Sequence, residues 1–199
     1  MKRIYFLAIA LAFLTNAFGQ VNFGLKAGAN LANIKIDASV DKKTILQFHA
    51  GGMLHVGLTK KLFIQPELLY SIKGFNSPSI DFLEDHDILL SYITTPILLG
   101  YRIRKHVSLM LGSEFGFLTD AKADFGKASF DRTDAYNKVD IGIDVAVSIK
   151  PTKKVGFDLR YNHGIKKLGM VLIRDREGNT TYGAQATNRV LQLGMFYSF

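Results

Sequence analysis

His163 is the residue of this sequence whose type and position come closest to enzyme chemistry. A histidine can act as a general base near neutral pH, and His163 ends a run of alternating apolar residues, where it would meet lipid. A lipid-cleaving enzyme also needs a nucleophilic serine beside the imidazole and a carboxylate that orients the ring. Ile165 is apolar, and the run that carries His163 contains no serine. We therefore favour an interfacial histidine and expect no catalytic residue.

The remaining candidates for chemistry are metal ligands. His49 and His55 are six positions apart on one face of a predicted strand, about 20 Å along it, so they cannot share a metal ion. Asp81 and Glu84, with the run Asp85-His86-Asp87, form an acidic segment whose oxygen atoms would suit calcium. These oxygens have no defined ligand spacing, so a solvated acidic loop is the default interpretation. Because Walker, dinucleotide and zinc motifs are absent as well, we expect no metal and no cofactor.

The elements that would position these residues are β-strands, because apolar side chains recur at every second position. Eight segments show this period, at residues 21–31, 46–58, 62–73, 89–103, 107–117, 139–150, 155–162 and 188–199. Three short basic connections alternate with four long ones, at 34–44, 75–87, 119–137 and 167–186. The chain ends on an alternating apolar pattern that we interpret as a barrel-insertion signal, formed by Leu193, Met195, Tyr197 and Phe199.

The second face of the predicted strands is rich in glycine and carries charges of both signs. If the apolar face pointed into a soluble, lipocalin-like barrel, these charges would face water, and periodicity alone does not exclude that arrangement. A soluble surface usually carries more lysine and glutamate, whereas a narrow lumen lets opposite charges pair. We therefore predict lipid outside and a structural ion-pair network in the lumen, formed by Lys26, Glu67, Lys73, Arg102, Glu114, Asp140, Asp144, Asp158 and Arg160.

The N-terminus has the pattern of a secretory signal peptide. Lys2 and Arg3 precede an apolar run of eleven residues, Ile4 to Leu14, and small residues follow at Ala17 and Gly19. That run is too short for a spanning helix, which needs about 20 residues. We expect residues 1–19 to be cleaved and residues 20–199 to form one β-barrel domain.

Composition excludes several other classes of protein. The chain has no cysteine, so it has neither a lipoprotein anchor nor disulfide bonds. Its formal charge of +8 comes from basic residues scattered over strand ends and turns, without a helix or a stacking platform to organise them for nucleic acid. Membranes with anionic head groups are the expected counterpart.

Three segments of the chain form recognisable motifs: GLKAGANLANI at 24–34, QPELLYSIKG at 65–74 and YITTPILLGY at 92–101. They resemble successive motifs of the PorT-like outer-membrane β-barrel family of Bacteroidota-type bacteria. The third departs from the family at Thr94, where an acidic residue is common. The resemblance implies an all-β fold, an eight-stranded antiparallel up-and-down transmembrane β-barrel of OmpA/OmpX-like architecture in the cell outer membrane. The founding member is linked to a protein secretion system, and most relatives have no assigned role.

The interior of an eight-stranded barrel is only just wide enough for side chains, so we expect a filled lumen without an open pore. The predicted role is structural, scaffolding or partner binding through the external loops, without enzyme activity. Expected partners are outer-membrane lipids, the barrel-assembly machinery during insertion, and a periplasmic or surface protein, but not nucleic acid. Three alternatives stay open: a lipid-modifying outer-membrane enzyme, a small gated ion conduit, and a PorT-like role in protein secretion.

Overall fold

A computed structural model describes residues 21–36, 43–77, 86–126, 128–174 and 180–199 of the chain. The predicted signal peptide and residues 81–85 of the acidic segment lie outside them. The strands are β1 (Val21–Ile36), β2 (Ile45–Gly57), β3 (Leu62–Ser77), β4 (His86–Arg104), β5 (Val107–Asp124), β6 (Ser129–Asp131), β7 (Val139–Ile149), β8 (Val155–Gly164), β9 (Met170–Arg174) and β10 (Thr180–Ser198). The one helical element among the described residues is a 3-10 turn, Thr133–Ala135, and no helix there could cross a membrane.

Eight of these strands close into an antiparallel ring. Each pairs with the next in the order β1-β2-β3-β4-β5-β7-β8-β10, and β10 returns to pair with β1. The closing ladder runs from the Gly24–Ser198 pair to the Ile36–Ala186 pair. Closure leaves the ring without a free edge. The predicted eight-stranded barrel is confirmed, and the short strands β6 and β9 extend β5 and β10 outside the ring.

The two faces of the ring differ sharply in chemistry. In β8, Phe157, Leu159 and Tyr161 point outward with 45%, 50% and 42% of their surface exposed, whereas Asp158 and Arg160 point inward and are buried. The same alternation runs through β7 and the second half of β10. A face of this kind is costly in water and stable in hydrocarbon. The barrel therefore has the apolar exterior and charged interior that the sequence predicts.

Irregular pairing adjusts the barrel wall at several positions, of which three lie away from the strand ends. Thr119 is an extra residue between the Tyr92–Leu118 and Ser91–Asp120 pairs, and its hydroxyl donates to the Ser91 carbonyl at 3.0 Å. This bulge reverses the faces of β5, so that Ala121 points inward like Leu118. The β2–β3 ladder skips Pro66, and the β3–β4 ladder skips the positions opposite Pro96, because proline has no N–H to donate.

The two ends of the barrel differ in their connections. Short turns and the residues Val21 and Phe199 lie at one end, which we call the inner end; the longer connections lie at the outer end. The predicted strands were too short at the outer end, where β5 continues to Asp124 and β10 begins at Thr180. Apolar alternation stops where lipid contact stops, whereas backbone hydrogen bonds can continue the sheet beyond it.

An arginine placed in the middle of the outward face should destabilise the barrel strongly. Met195 is 52% exposed on β10 and is the third of the five outward apolar residues from Leu191 to Phe199, and we expect Met195→Arg to cost about 2–4 kcal/mol of unfolding free energy. Ile103→Arg is the matched control, because Ile103 is 50% exposed beside an inner turn, where the cost should be about 0–1 kcal/mol. Urea unfolding of protein refolded into lipid vesicles measures both values. Equal costs would show that the outward face does not meet a bilayer.

Candidate functional site

The candidate site is the lumen, where strand alternation places polar side chains from opposite walls within reach of one another. Glycine makes room for them. A Cβ atom at Gly194 would overlap Asp158 and lie 2.8 Å from Cε of Lys26. The absence of a side chain on β10 at this height is therefore what allows Lys26 from β1 to meet Asp158 from β8.

An inner cluster of five charged residues is centred on one of its members, Arg160. The Arg160 guanidinium lies 2.7 Å from Glu67, 3.4 Å from Asp144 and 3.7 Å from Asp158. Lys26 donates to Asp158 and also lies 3.5 Å from Glu67. All five side chains have no exposed surface. Residues from four strands are thereby joined across the barrel axis, because Glu67 lies on β3 and Asp144 on β7.

An outer cluster is centred on Lys73. Its ammonium lies 2.7 Å from Glu114 and 2.9 Å from Asp140, and it sits 5.2 Å from the ring centre of Tyr92. The amide nitrogen of Asn188 donates to Asp140 at 2.8 Å. Lys73, the third cation of the described lumen, thus has its own pair of carboxylates.

Asn162 joins the two clusters. Its amide nitrogen donates to Glu114 of the outer cluster at 3.2 Å and to Asp144 of the inner cluster at 2.6 Å. The sequence places Asn162 and Asn188 on the polar face, but the predicted ion-pair network was limited to charged residues and left out uncharged amides. Their position on the same face as the carboxylates was the feature of the sequence that could have identified them.

Eight of the nine residues predicted for the lumenal network therefore come together, and Arg102 lies elsewhere. Its guanidinium is at the inner end of β4, where it donates to the Lys60 carbonyl at 3.2 Å and to Nε2 of His55 at 2.8 Å, above the ring of Phe63. Arg102 does face inward, as the alternation predicts. It lies too close to the end of the strand to reach the carboxylates.

Three of the five histidines, His49, His55 and His163, are candidates for chemistry, and they lie in separate environments. Nδ1 of His49 lies 2.8 Å from the side-chain oxygen of Asn30, in the buried interior. His163 is on the outward face, where its ring packs edge-on against Tyr161, and its ladder partners are Ile143 and Arg189. Neither partner is a serine or a carboxylate. Within the described residues, no group of three histidine or acidic side chains could hold a metal ion.

Apolar layers enclose the charges at both ends. The outer layer contains Tyr92, Leu168 and Leu118, with Tyr136 packed against it. Leu168 comes from the connection after β8, and its N–H donates to the Ala186 carbonyl at 2.8 Å. Burial raises the pKa of the Tyr136 phenol to about 12. The inner layer is formed by Phe63, Leu98, Met110 and Ala146.

Chemically, this arrangement holds charge in place. The two clusters of the lumen hold five carboxylates and three cations. Each cation contacts at least two of the carboxylates. Removing one partner of a buried pair leaves a desolvated charge behind. The described lumen therefore suits mechanical rigidity rather than turnover.

Loss of the Lys73 charge should destabilise the barrel more than loss of an exposed lysine. Lys73→Met would leave Glu114 and Asp140 buried without their cation, and we expect a cost of about 3–5 kcal/mol. The control is Lys122→Met, because Lys122 pairs with Asp120 at 3.2 Å on the surface, where a pair contributes about 1 kcal/mol or less. Urea unfolding in vesicles compares the two. Adding Asp140→Asn to Lys73→Met should restore part of the stability; no difference between the two lysine variants would contradict the buried network.

Comparison with known proteins places the barrel among outer-membrane proteins. Residues 15–168 match the family model of the outer membrane protein beta-barrel domain. The structure of Ail, the attachment invasion locus protein of Yersinia pestis, is similar at 18% sequence identity and a TM-score of 0.54, over 90% of this chain and 99% of Ail. Neisserial surface protein A is similar at 16% identity and a TM-score of 0.54, with the same coverage. At these identities the likeness concerns the fold. No curated protein matches the chain in sequence.

Proposed function

This chain belongs to the outer membrane protein beta-barrel domain family, and we propose that it is a non-enzymatic outer-membrane barrel that binds a partner at its external surface. The filled lumen is the observation that carries this proposal. Two ion clusters and two apolar layers occupy the interior, so the surfaces left for function are the ends of the barrel. In such barrels the short turns face the periplasm and the longer connections face outward.

The outer end supports this proposal because two of its connections pack against each other. We call residues 132–138 and 165–169 the outer platform. The N–H of Asn137 donates to the Leu168 carbonyl at 2.7 Å, and its amide donates to the Lys167 carbonyl at 2.8 Å. Gly169, at a φ of 132°, passes so close to Ala135 that a Cβ atom would lie 2.9 Å from its carbonyl oxygen. A preformed surface binds with a smaller loss of conformational entropy.

The exposed residues of the outer platform suggest the chemistry of the partner. Lys138, Lys166 and Lys167 are exposed on adjoining connections, beside Ile165, which is 54% exposed. Ail has been crystallised with a heparin analogue, sucrose octasulfate. For this chain we infer only that an acidic partner, either a protein or a sulfated glycan, would complement the three lysines.

The PorT-like motifs bear on the wall of the barrel rather than on this platform. Residues 24–34, 65–74 and 92–101 lie in β1, β3 and β4, and they supply Lys26 and Lys73 to the lumen. If the chain has a role in protein secretion, our proposal is that its partner is a component of the secretion system.

Export and insertion complete the proposal. We propose that residues 1–19 are removed as a signal peptide. The barrel-assembly machinery would read the C-terminal residues, which project outward from the last strand: Leu193, Met195, Tyr197 and Phe199. The same residues would then contact outer-membrane lipid.

Reversing the charge of the outer platform should abolish partner binding without unfolding the barrel. We expect the K138E/K166E/K167E variant to keep the faster gel migration of an unboiled barrel, since exposed substitutions usually change stability by about 0.5 kcal/mol or less. A photo-crosslinking residue at Ile165 should give a defined adduct on whole cells that this variant loses. The same residue at Leu193, on the lipid face, is the control. Equal adducts from both positions would contradict the proposal.

The filled lumen should not conduct ions. Planar bilayers that contain the folded protein are expected to show the baseline current of protein-free bilayers, because the apolar layers and ion pairs leave no continuous water path. Reproducible conductance steps would instead favour the gated ion conduit.

A further inference from the structure

The inner end of the barrel holds a cavity that the lumenal network does not use. It has a volume of about 140 Å³, and its lining comes from seven of the eight ring strands and from two inner turns. Three of its lining residues are cationic, Arg102, Lys105 and Lys150, and none is acidic. We propose that this cavity is a binding site for a phosphate group.

The floor of the cavity is largely apolar, because Phe63, Met53 and Phe196 line it and are at most 5% exposed. Gln65 also lines the cavity, and its amide donates to Glu67 of the inner cluster at 2.8 Å. The two cations of the inner cluster already have three carboxylates as partners, so the cations of the cavity are a separate set. The positive charge at the inner mouth can therefore be balanced by an anion from outside the barrel.

Two of the three cations are held by neutral partners. Nζ of Lys150 lies 3.0 Å from the hydroxyl of Ser198, and the guanidinium of Arg102 donates to Nε2 of His55 at 2.8 Å. Because a guanidinium can only donate, that histidine nitrogen accepts and the ring carries no charge. Burial, together with the charge of Arg102, lowers the pKa of Lys150. These cations thus face one another without a carboxylate between them.

The remaining lining groups suit an oxyanion. Ser108 and Ser148 add hydroxyl donors, and Asn22 adds an amide. Guanidinium and ammonium groups form charge-assisted hydrogen bonds with phosphate oxygens. A cavity volume of about 140 Å³ is large enough for one tetrahedral oxyanion.

Two kinds of molecule could supply the phosphate group: free phosphate and a phospholipid. Free phosphate could enter from the periplasm. Alternatively, the head group of an anionic phospholipid in the inner leaflet could reach the rim, where Lys61 and Lys154 lie over the rings of Tyr101 and Tyr197 at 5.9 and 5.6 Å. Both sources offer the same oxygen atoms to Arg102.

Calorimetric titration with inorganic phosphate tests the site. The full chain is refolded in neutral detergent and titrated at constant ionic strength. Loss of a charged hydrogen bond should weaken binding at least about tenfold in Lys105→Gln and in Lys150→Gln. Lys153→Gln is the matched control, because Lys153 lies in the same turn as Lys150 with the same charge but does not line the cavity. All variants should keep the migration of a folded barrel on an unboiled gel.

A second arm distinguishes the two sources. The thermal midpoint of each variant is compared in vesicles of phosphatidylcholine with and without phosphatidylglycerol. Stabilisation by phosphatidylglycerol that Lys150→Gln loses and Lys153→Gln keeps would assign the site to a lipid head group, even where free phosphate binds poorly. Binding in neither arm, or an equal loss in Lys153→Gln, would overturn the proposal.

Discussion

An eight-stranded ring encloses so little space that every charge inside it must be matched by another side chain. This constraint explains most of the interior. Arg160 and Lys73 each sit among carboxylates from other strands, Asn162 joins the two groups, and Gly194 supplies the space they need. The apolar layers then seal this charged core at both ends. An isolated ion pair of this burial would add little to stability, but a network in which each partner supports several others makes its members hard to remove.

Because the core is filled, different parts of the chain have different roles. The strands keep the barrel rigid, and their apolar outward side chains suit contact with lipid. In the described part of the chain, the outer platform and the inner mouth are the surfaces at which we propose that the molecule meets a partner. Their charges are arranged differently: lysines lie on an exposed surface at the outer end, whereas at the inner end Arg102 and Lys150 line a recess. A broad surface suits a large partner, and a recess suits a small group.

Sequence periodicity predicted the number of strands, their faces and eight of the nine lumenal charges, because alternation follows directly from strand geometry. It placed Arg102 on the correct face but could not give its height, which depends on register and tilt. It ended β5 too early and began β10 too late, because backbone pairing continues beyond the apolar alternation. The inward fold of Leu168 and the inner cavity depend on contacts between distant segments, and no local pattern encodes those contacts.

The closing ladder between β1 and β10 has a kinetic consequence. Contacts that join opposite walls of the ring connect residues far apart in sequence: Lys26 and Asp158 are 132 positions apart, and Arg160 and Glu67 are 93 apart. Such distant pairs form late in folding, since a long loop must be closed before its contacts are gained. The first strand has no partner on one side until the last strand is in place. Until then the chain exposes unpaired strand edges and apolar faces, so the unclosed barrel is prone to aggregate.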